Sequence, residues 1–430
     1  MKRILAFAAL VTLLSGSAFA LGGKEAADTS VKTLSVIGVW GDQEASIFTS
    51  KIAAEFERRT GVKVMFEGTR DINAILTARV QAGNPPDIAI LPNPGTMIEL
   101  ARDGKLVDLG AVFDMAEFRK NFSQGWIDQG SVAGKLYGVY IKAAIKGLVW
   151  YNPATVSSLG LALPKTWTEL DAVSRKIIAS GMAPWAIGVE SGAASGWVGT
   201  DWIENIFLRL YGPALYKDWY DGKLAWSSPE VKKAFQYFGQ IVSDPAMAYG
   251  GKQYILSTGF GAAHAPLFQA PPKAVFHQQA SFIQGFIKEQ FPTLQAGRDF
   301  AFFGFPAIDS RYAKAVEGAG DCVVVLKKSG AAAEFMKFIA SAEGQGFWAA
   351  TGALSTNRML ALTAYPDELT KEAARILNES EIVVFDASDM MPSAMNEAFW
   401  GAILAFIDNP SSIDTILAGL DKVQLDAYKK

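Results

Sequence analysis

The sequence predicts an α/β protein of two lobes with a ligand cleft between them, and three observations lead there. At 430 residues the chain is longer than one hydrophobic core usually supports. After an apolar start it alternates strand and helix for about a hundred residues, the order of a parallel sheet with right-handed crossovers. The middle and end are rich in helix and aromatic residues, yet strand character returns at Ala301–Phe305 and Cys322–Leu326, so more than one crossing between lobes is expected. Clefts between domains are common sites for small ligands.

Thr33 to Trp40 reads as an apolar strand, and Ala45, Phe48, Ile52 and Phe56 then recur at helical spacing until Gly61. Val62, Val64 and Phe66 alternate as a second strand. Ile72, Ile75, Leu76 and Val80 mark a helix stopped by Gly83, and Asp87–Leu91 is a short buried strand. Two strand pieces lie between Tyr137 and Tyr151. Thr166-Trp167-Thr168-Glu169 has capping-box spacing, Ser228-Pro229-Glu230 opens another helix, and the last seventy residues are mostly helical. The expected division is 33–141 with about 300–355 as an N-terminal α/β lobe, and 142–299 with about 356–430 as a larger helix-rich lobe.

The N-terminus carries an export pattern. Lys2 and Arg3 precede an apolar run from Ile4 to Leu14, and Ala18-Phe19-Ala20 offers small residues for cleavage after Ala20. Residues 1–20 therefore read as a signal peptide and 21–32 as a flexible leader. The alternative is a membrane anchor, for which the run falls short of the ~20 apolar residues a span needs. No cysteine adjoins the cleavage point, which argues against a lipid-tethered start. A periplasmic or extracellular location is expected. The net charge of −3 gives no reason to expect nucleic acid or an anionic membrane as partner. A lone cysteine, Cys322, forms no internal disulfide, and two histidines exclude a histidine-rich metal site. Neither a metal nor an organic cofactor is implied, and a monomer is expected.

No nucleophile elbow, zinc-protease helix or phosphate loop is present. Gly259-Phe260-Gly261 begins like a dinucleotide fingerprint but lacks its last glycine and reads as a loop. Carboxylates are plentiful, so a paired-carboxylate glycosidase stays open as a rival class. In an open parallel sheet, ligands sit beyond the carboxyl ends of the strands. Those ends offer Trp40, Asp42 and Gln43, then Arg70, then Asn93. The glycine-rich loop with Glu190 and Trp197 leads to Asp201 and Trp202. An indole stacks on the apolar face of a sugar ring while carboxylates and amides bind its hydroxyls. Asp87, before its strand, and Lys142 and Lys146, in apolar strands, complete the candidates read from pattern. Each also has a plain structural reading: a helix cap for Asp42, core packing for the tryptophans, a surface pair with Asp71 for Arg70, a solvated edge for the lysines.

Several segments together resemble the carbohydrate class of extracellular solute-binding proteins, of the maltose-binding type. They are Val39-Trp40-Gly41-Asp42-Gln43, Phe56-Glu57-Arg58-Arg59-Thr60-Gly61, Pro85-Pro86-Asp87-Ile88-Ala89, Trp150-Tyr151-Asn152-Pro153 and Leu163-Pro164-Lys165-Thr166-Trp167. A narrower likeness to the alpha-glucoside-binding members rests on Trp185–Ala193, Thr200–Glu204, Ile255–Gly261, His277–Phe282 and Phe385–Pro392. The resemblance implies a type II periplasmic binding protein fold with multiple hinge crossovers. It implies non-catalytic capture of a sugar and delivery to the membrane permease of an ABC importer. It also implies cleft positions for Asp42, Gln43 and Asp87, for the segment beginning at Gln278, for Gly320 and Asp321, and for Asp386 and Asp389.

Overall fold

The computed structural model describes residues 33–380 and 383–429. The expected signal peptide and leader lie outside the described residues. In chain order the strands are β1 (Thr33–Gly38), β2 (Lys63–Gly68), β3 (Ile88–Leu91), the small hairpin β4 (Ser131–Val132) and β5 (Lys135–Leu136), β6 (Gly138–Ile145), β7 (Leu148–Tyr151), β8 (Ala183–Trp185), β9 (Ala274–Gln279), β10 (Ala301–Gly304), β11 (Val316–Val325) and β12 (Val383–Phe385).

Two sheets result. In the first, β1 lies between β2 and β3 and runs parallel to both, as the alternating start of the chain predicts. The long β11 pairs antiparallel with β3 and β6 and parallel with β12. The second sheet has the order β10-β7-β9-β8. One boundary read from sequence changes. The sequence places the region from about 300 in the N-terminal lobe, whereas β10 pairs with β7 in the second sheet. Its mixed Phe-Phe-Gly pattern identifies a strand and says nothing about which sheet receives it.

Each sheet has its own core. Trp40, Phe48, Ile90, Val323 and Phe335 belong to the first. Trp185, Trp202, Phe207, Trp219, Phe235 and Phe399 belong to the second. A smaller cluster around Ile145, Leu148, Trp150, Val316 and Leu354 lies where the lobes join. The structure is thus the two-lobed α/β arrangement expected. Among the described residues no helix is long and apolar enough to cross a membrane.

Within the described residues the chain passes between lobes at three places: from β6 to β7, from β10 to β11, and after β12. Lys146 and Gly147 form the first link. Gly147 has φ 71° and its α-carbon faces the Asn205 amide so closely that any side chain there meets it. The long helix Trp197–Tyr220, which carries Asn205, therefore lies directly against the crossing point.

His264 and His277 lie buried 6.2 Å apart, centroid to centroid. Burial lowers the first to about 3, helped by the second, and lowers the second to about 4. Folded values below the unfolded ~6.5 mean that the unfolded chain binds the extra protons. This stability is complete above about pH 6.5 and declines as pH falls towards 4. The expected loss is about 2 to 3 kcal/mol per ring by about pH 4.5. Urea midpoints across that range should fall more steeply for the natural chain than for His264→Phe. Equal slopes would contradict the assignment.

Candidate functional site

The carboxyl ends of β1 and β3 point towards the second lobe, and between them lies a cavity of about 490 Å³. Trp40, Glu44, Arg70, Asn93, Lys142 and Asp321 line one side. Lys146, Trp197, Phe260, Phe282, Asp386, Asp389 and Trp400 line the other.

The first wall is an ion-pair chain laid over aromatic rings. Lys142 on β6 stands opposite Asp321 on β11, at a bulge that shifts the register. Its ammonium bonds to Glu44 and lies 3.4 Å from the Asp321 carboxylate. Arg70 reaches Glu44 at 3.5 Å, and the Trp40 indole N–H donates to Asp321 at 2.9 Å. Lys142 also sits 5.0 Å from the Trp348 ring and 5.6 Å from Trp40. Burial raises Glu44, but Lys142 and Arg70 outweigh it and hold the carboxyl below its usual range. For Asp321 burial wins over Lys142 and the value rises.

The second wall is organised by Lys146. Its ammonium lies 2.9 and 3.0 Å from the two Asp201 oxygens, 2.9 Å from Asp386, and 4.7 Å above the Trp197 ring. Asn93 from the first lobe donates to Asp389 at 2.6 Å. Arg70 stacks on Phe260 at 5.2 Å and so spans the cleft. Asp201, Glu317 and Asp386 bring oxygens within 4.8 Å of one another, a spacing suited to a cation. The lysine ammonium already bonds two of the three. Three buried polar atoms in the lining have no partner among the described residues: Asn93 Oδ1, Ser191 Oγ and Trp400 Nε1.

Of the residues singled out by sequence, Trp40, Arg70, Asn93, Lys142, Lys146, Trp197, Gly320, Asp321, Asp386 and Asp389 meet around this cavity. Seven do not line it. Asp42 is exposed, with φ 46°, and Gln43 is half-buried one residue on. Asp87 accepts from the Ser35 backbone N–H and hydroxyl at 2.8 and 2.6 Å. Glu190 is exposed and accepts from the Gly192 N–H at 2.8 Å. Asp201 lies behind Lys146. Trp202 packs edge-on against Trp185 at 4.8 Å in the second core, and Gln278 is buried in β9. Sequence reasoning passed over Glu44, Asn73, Phe260 and Trp400. Glu44 had a usable signal, since it lies in the first turn after a strand end. Trp400 had none, being one aromatic residue within an apolar helix.

Residues 41–346 match the bacterial extracellular solute-binding protein family. The chain belongs to this family. Among curated relatives of this solute-binding protein, the osmoprotective compounds-binding protein GgtB of Synechocystis sp. is 37% identical over 395 residues, covering 90% of this chain and 92% of that one. The alpha-glucosides-binding periplasmic protein AglE of Rhizobium meliloti is 33% identical over 410 residues, covering 93% and 88%. Among solved structures, the bacterial solute receptor AcbH superposes with a TM-score of 0.80 at 19% identity, covering 93% of this chain and all of that one. Maltose-bound MalE3 of T. maritima superposes with a TM-score of 0.71 at 18% identity, covering 92% and 99%. These structural likenesses speak to the fold, which is the two-lobed type II arrangement.

Removing the Lys146 charge from the binding protein leaves Asp201 and Asp386 facing each other in a buried site. Lys146→Met should destabilise by about 3 to 5 kcal/mol at neutral pH. The penalty should shrink as pH falls, because protonated carboxyls no longer repel. Urea unfolding of both proteins at about pH 7.5 and about pH 5 checks this. A penalty independent of pH would contradict the charge account.

Proposed function

We propose that the protein captures an uncharged sugar, a small alpha-glucoside or short oligosaccharide, between its lobes and delivers it to the permease of an ABC importer, without transforming it. Family membership supports solute binding for an importer. The observation that carries the sugar reading is the cavity wall itself. Aromatic rings line both sides, and its cations are bonded to carboxylates: Lys142 and Arg70 to Glu44, Lys146 to Asp386. A cleft with its cations paired internally offers an anion little, and its carboxylates offer acceptors to hydroxyls. Such a surface suits hydroxyls over a pyranose face. The unpartnered Asn93, Ser191 and Trp400 atoms add a mixture of acceptor and donor of the kind a polyol needs. The name of one relative, an alpha-glucosides-binding protein, agrees with a small glycoside.

Capture follows from the three crossings. An open form admits the ligand, and closure adds contacts from the second wall that the open form lacks. The same cleft carboxylates would serve the rival reading, a secreted glycosidase. Glu44, Asp321, Asp386 and Asp389 are each bonded to a lysine or to Asn93, which supports holding over acid–base work.

A thermal-shift panel of maltose, trehalose and sucrose tests the reading, since a ligand that binds only the native state raises the melting temperature. At least one saccharide should raise it, with no product formed on long incubation. Trp197→Ala should weaken that ligand at least roughly tenfold. Turnover would sink the binding reading, and a flat panel would sink the alpha-glucoside.

A further inference from the structure

Behind the second wall lies a cluster with more carboxyl groups than cations. Asp201, Glu204, Glu317 and Asp386 are each no more than 1% exposed, and Asp389 adjoins them at the cleft. They come from every element that meets there. The helix Trp197–Tyr220 supplies Asp201, Glu204, Asn205, Arg209 and Tyr216. The β6–β7 link supplies Lys146, β11 supplies Glu317, and the chain after β12 supplies Asp386, Ser388 and Asp389. Asn93 reaches in from β3. Arg209 gives its N–H groups to the Asn205 side chain and to the Phe305 and Ala315 carbonyls, not to a carboxylate. Lys146 thus contacts the carboxylates directly while Arg209 does not.

The crowding itself calls for bound protons. Asp201, Glu317 and Asp386 bring carboxyl oxygens within 4.8 Å of one another, all three buried, and the Lys146 ammonium bonds only Asp201 and Asp386. Glu317 Oε1 is buried without a partner, while its other oxygen accepts from Asn205 at 2.7 Å. Like charges this close do not all ionise. Burial raises Asp201 to about 8, with Lys146 pulling down and Asp386 pushing up, and burial likewise raises Asp389.

We propose that ligand capture in this cleft releases a proton from the cluster. The proposal rests on reading the cleft as the sugar site. Asp386, Asp389 and Lys146 are the face of the cluster that lines the cavity; Asp201, Glu204 and Glu317 stand behind them. A hydroxyl donated to Asp389 favours its ionised form. The carboxyl O–H bond then breaks, the electron pair stays on the carboxylate, and the proton leaves for solvent. A neutral sugar has no group that takes it up near neutral pH.

Titration calorimetry decides this, with the saccharide of the panel that gives the largest thermal shift, run at about pH 7 in phosphate and in Tris, buffers that differ widely in ionisation enthalpy. Binding should be more exothermic in Tris, which gives out more heat than phosphate on taking up the released proton, by an amount corresponding to a fraction of a proton per ligand, and affinity should rise between about pH 6 and about pH 8. Glu317→Gln makes one buried carboxyl of the cluster permanently neutral and relieves the crowding that holds the proton, so the buffer difference should fall in a protein that still binds. Asp201→Asn serves if that variant does not fold. Binding with equal heats in both buffers overturns the linkage alone, as does an undiminished difference in the variant. If no saccharide binds, the sugar reading falls and takes the linkage with it.

Discussion

The Lys146 ammonium is the contact on which the rest of the molecule depends. It sits on the first link between lobes, bonded to Asp386 on the third and to Asp201 on the helix Trp197–Tyr220. The second link enters through β11, where Glu317 accepts from Asn205 and its carbonyl accepts from the Lys146 N–H. One helix face, with Asp201, Glu204, Asn205 and Arg209 at helical spacing, therefore gathers all three crossings. A buried ion pair is weak evidence for net stability, but breaking one leaves an uncompensated charge. The cluster accordingly fixes where the lobes join. The apolar cores on either side have no comparable means of specifying it, since hydrophobic burial is non-directional.

The same arrangement sets the chemistry of the cleft. Lys142 and Lys146 lie near the two ends of the same stretch of chain, on opposite walls, each held between carboxylates and an indole ring. Each of these cations is therefore neutralised by carboxylates at its own wall. Anionic ligands gain little there, whereas a ligand with many hydroxyls and an apolar face finds both kinds of partner. Lys142 and Asp321 stand on paired strands and Trp197 on the long helix, the kind of rigid support a pre-organised binding wall requires.

Much of this was legible in the sequence, and the failures have physical causes. The parallel start, the capping box at Thr166 and the strand-end residues Trp40 and Asn93 follow from periodicity and the carboxyl-end rule. Asp87 fails by the same rule, because it precedes β3 and lies at the amino end of the strand, where it bonds to Ser35. Trp197 and Trp202 read alike beside the glycine-rich loop. On a helix, five residues turn the side chain by roughly 140°, so one faces the cleft and the other the core. Apolar residues crowd that helix between its polar ones, which blurs its period, and Asp201, expected at the cleft, belongs to the brace behind it. Arg70 finds Glu44 instead of the adjacent Asp71, a pairing made by the meeting of two strand ends that no local pattern encodes. β10 fails for a similar reason, since a strand's own residues do not name its sheet.

The account's central claim is that both walls close on one sugar. A crystal structure of the protein with its tightest-binding saccharide tests it most directly. The account predicts an intact sugar in the interlobe cavity, with hydrogen bonds to at least one of Glu44, Asn93 and Asp321 on one side and to Asp386 or Asp389 on the other, and a ring face against Trp197. A sugar bound outside the cavity, held by one lobe alone, or cleaved in place would contradict it.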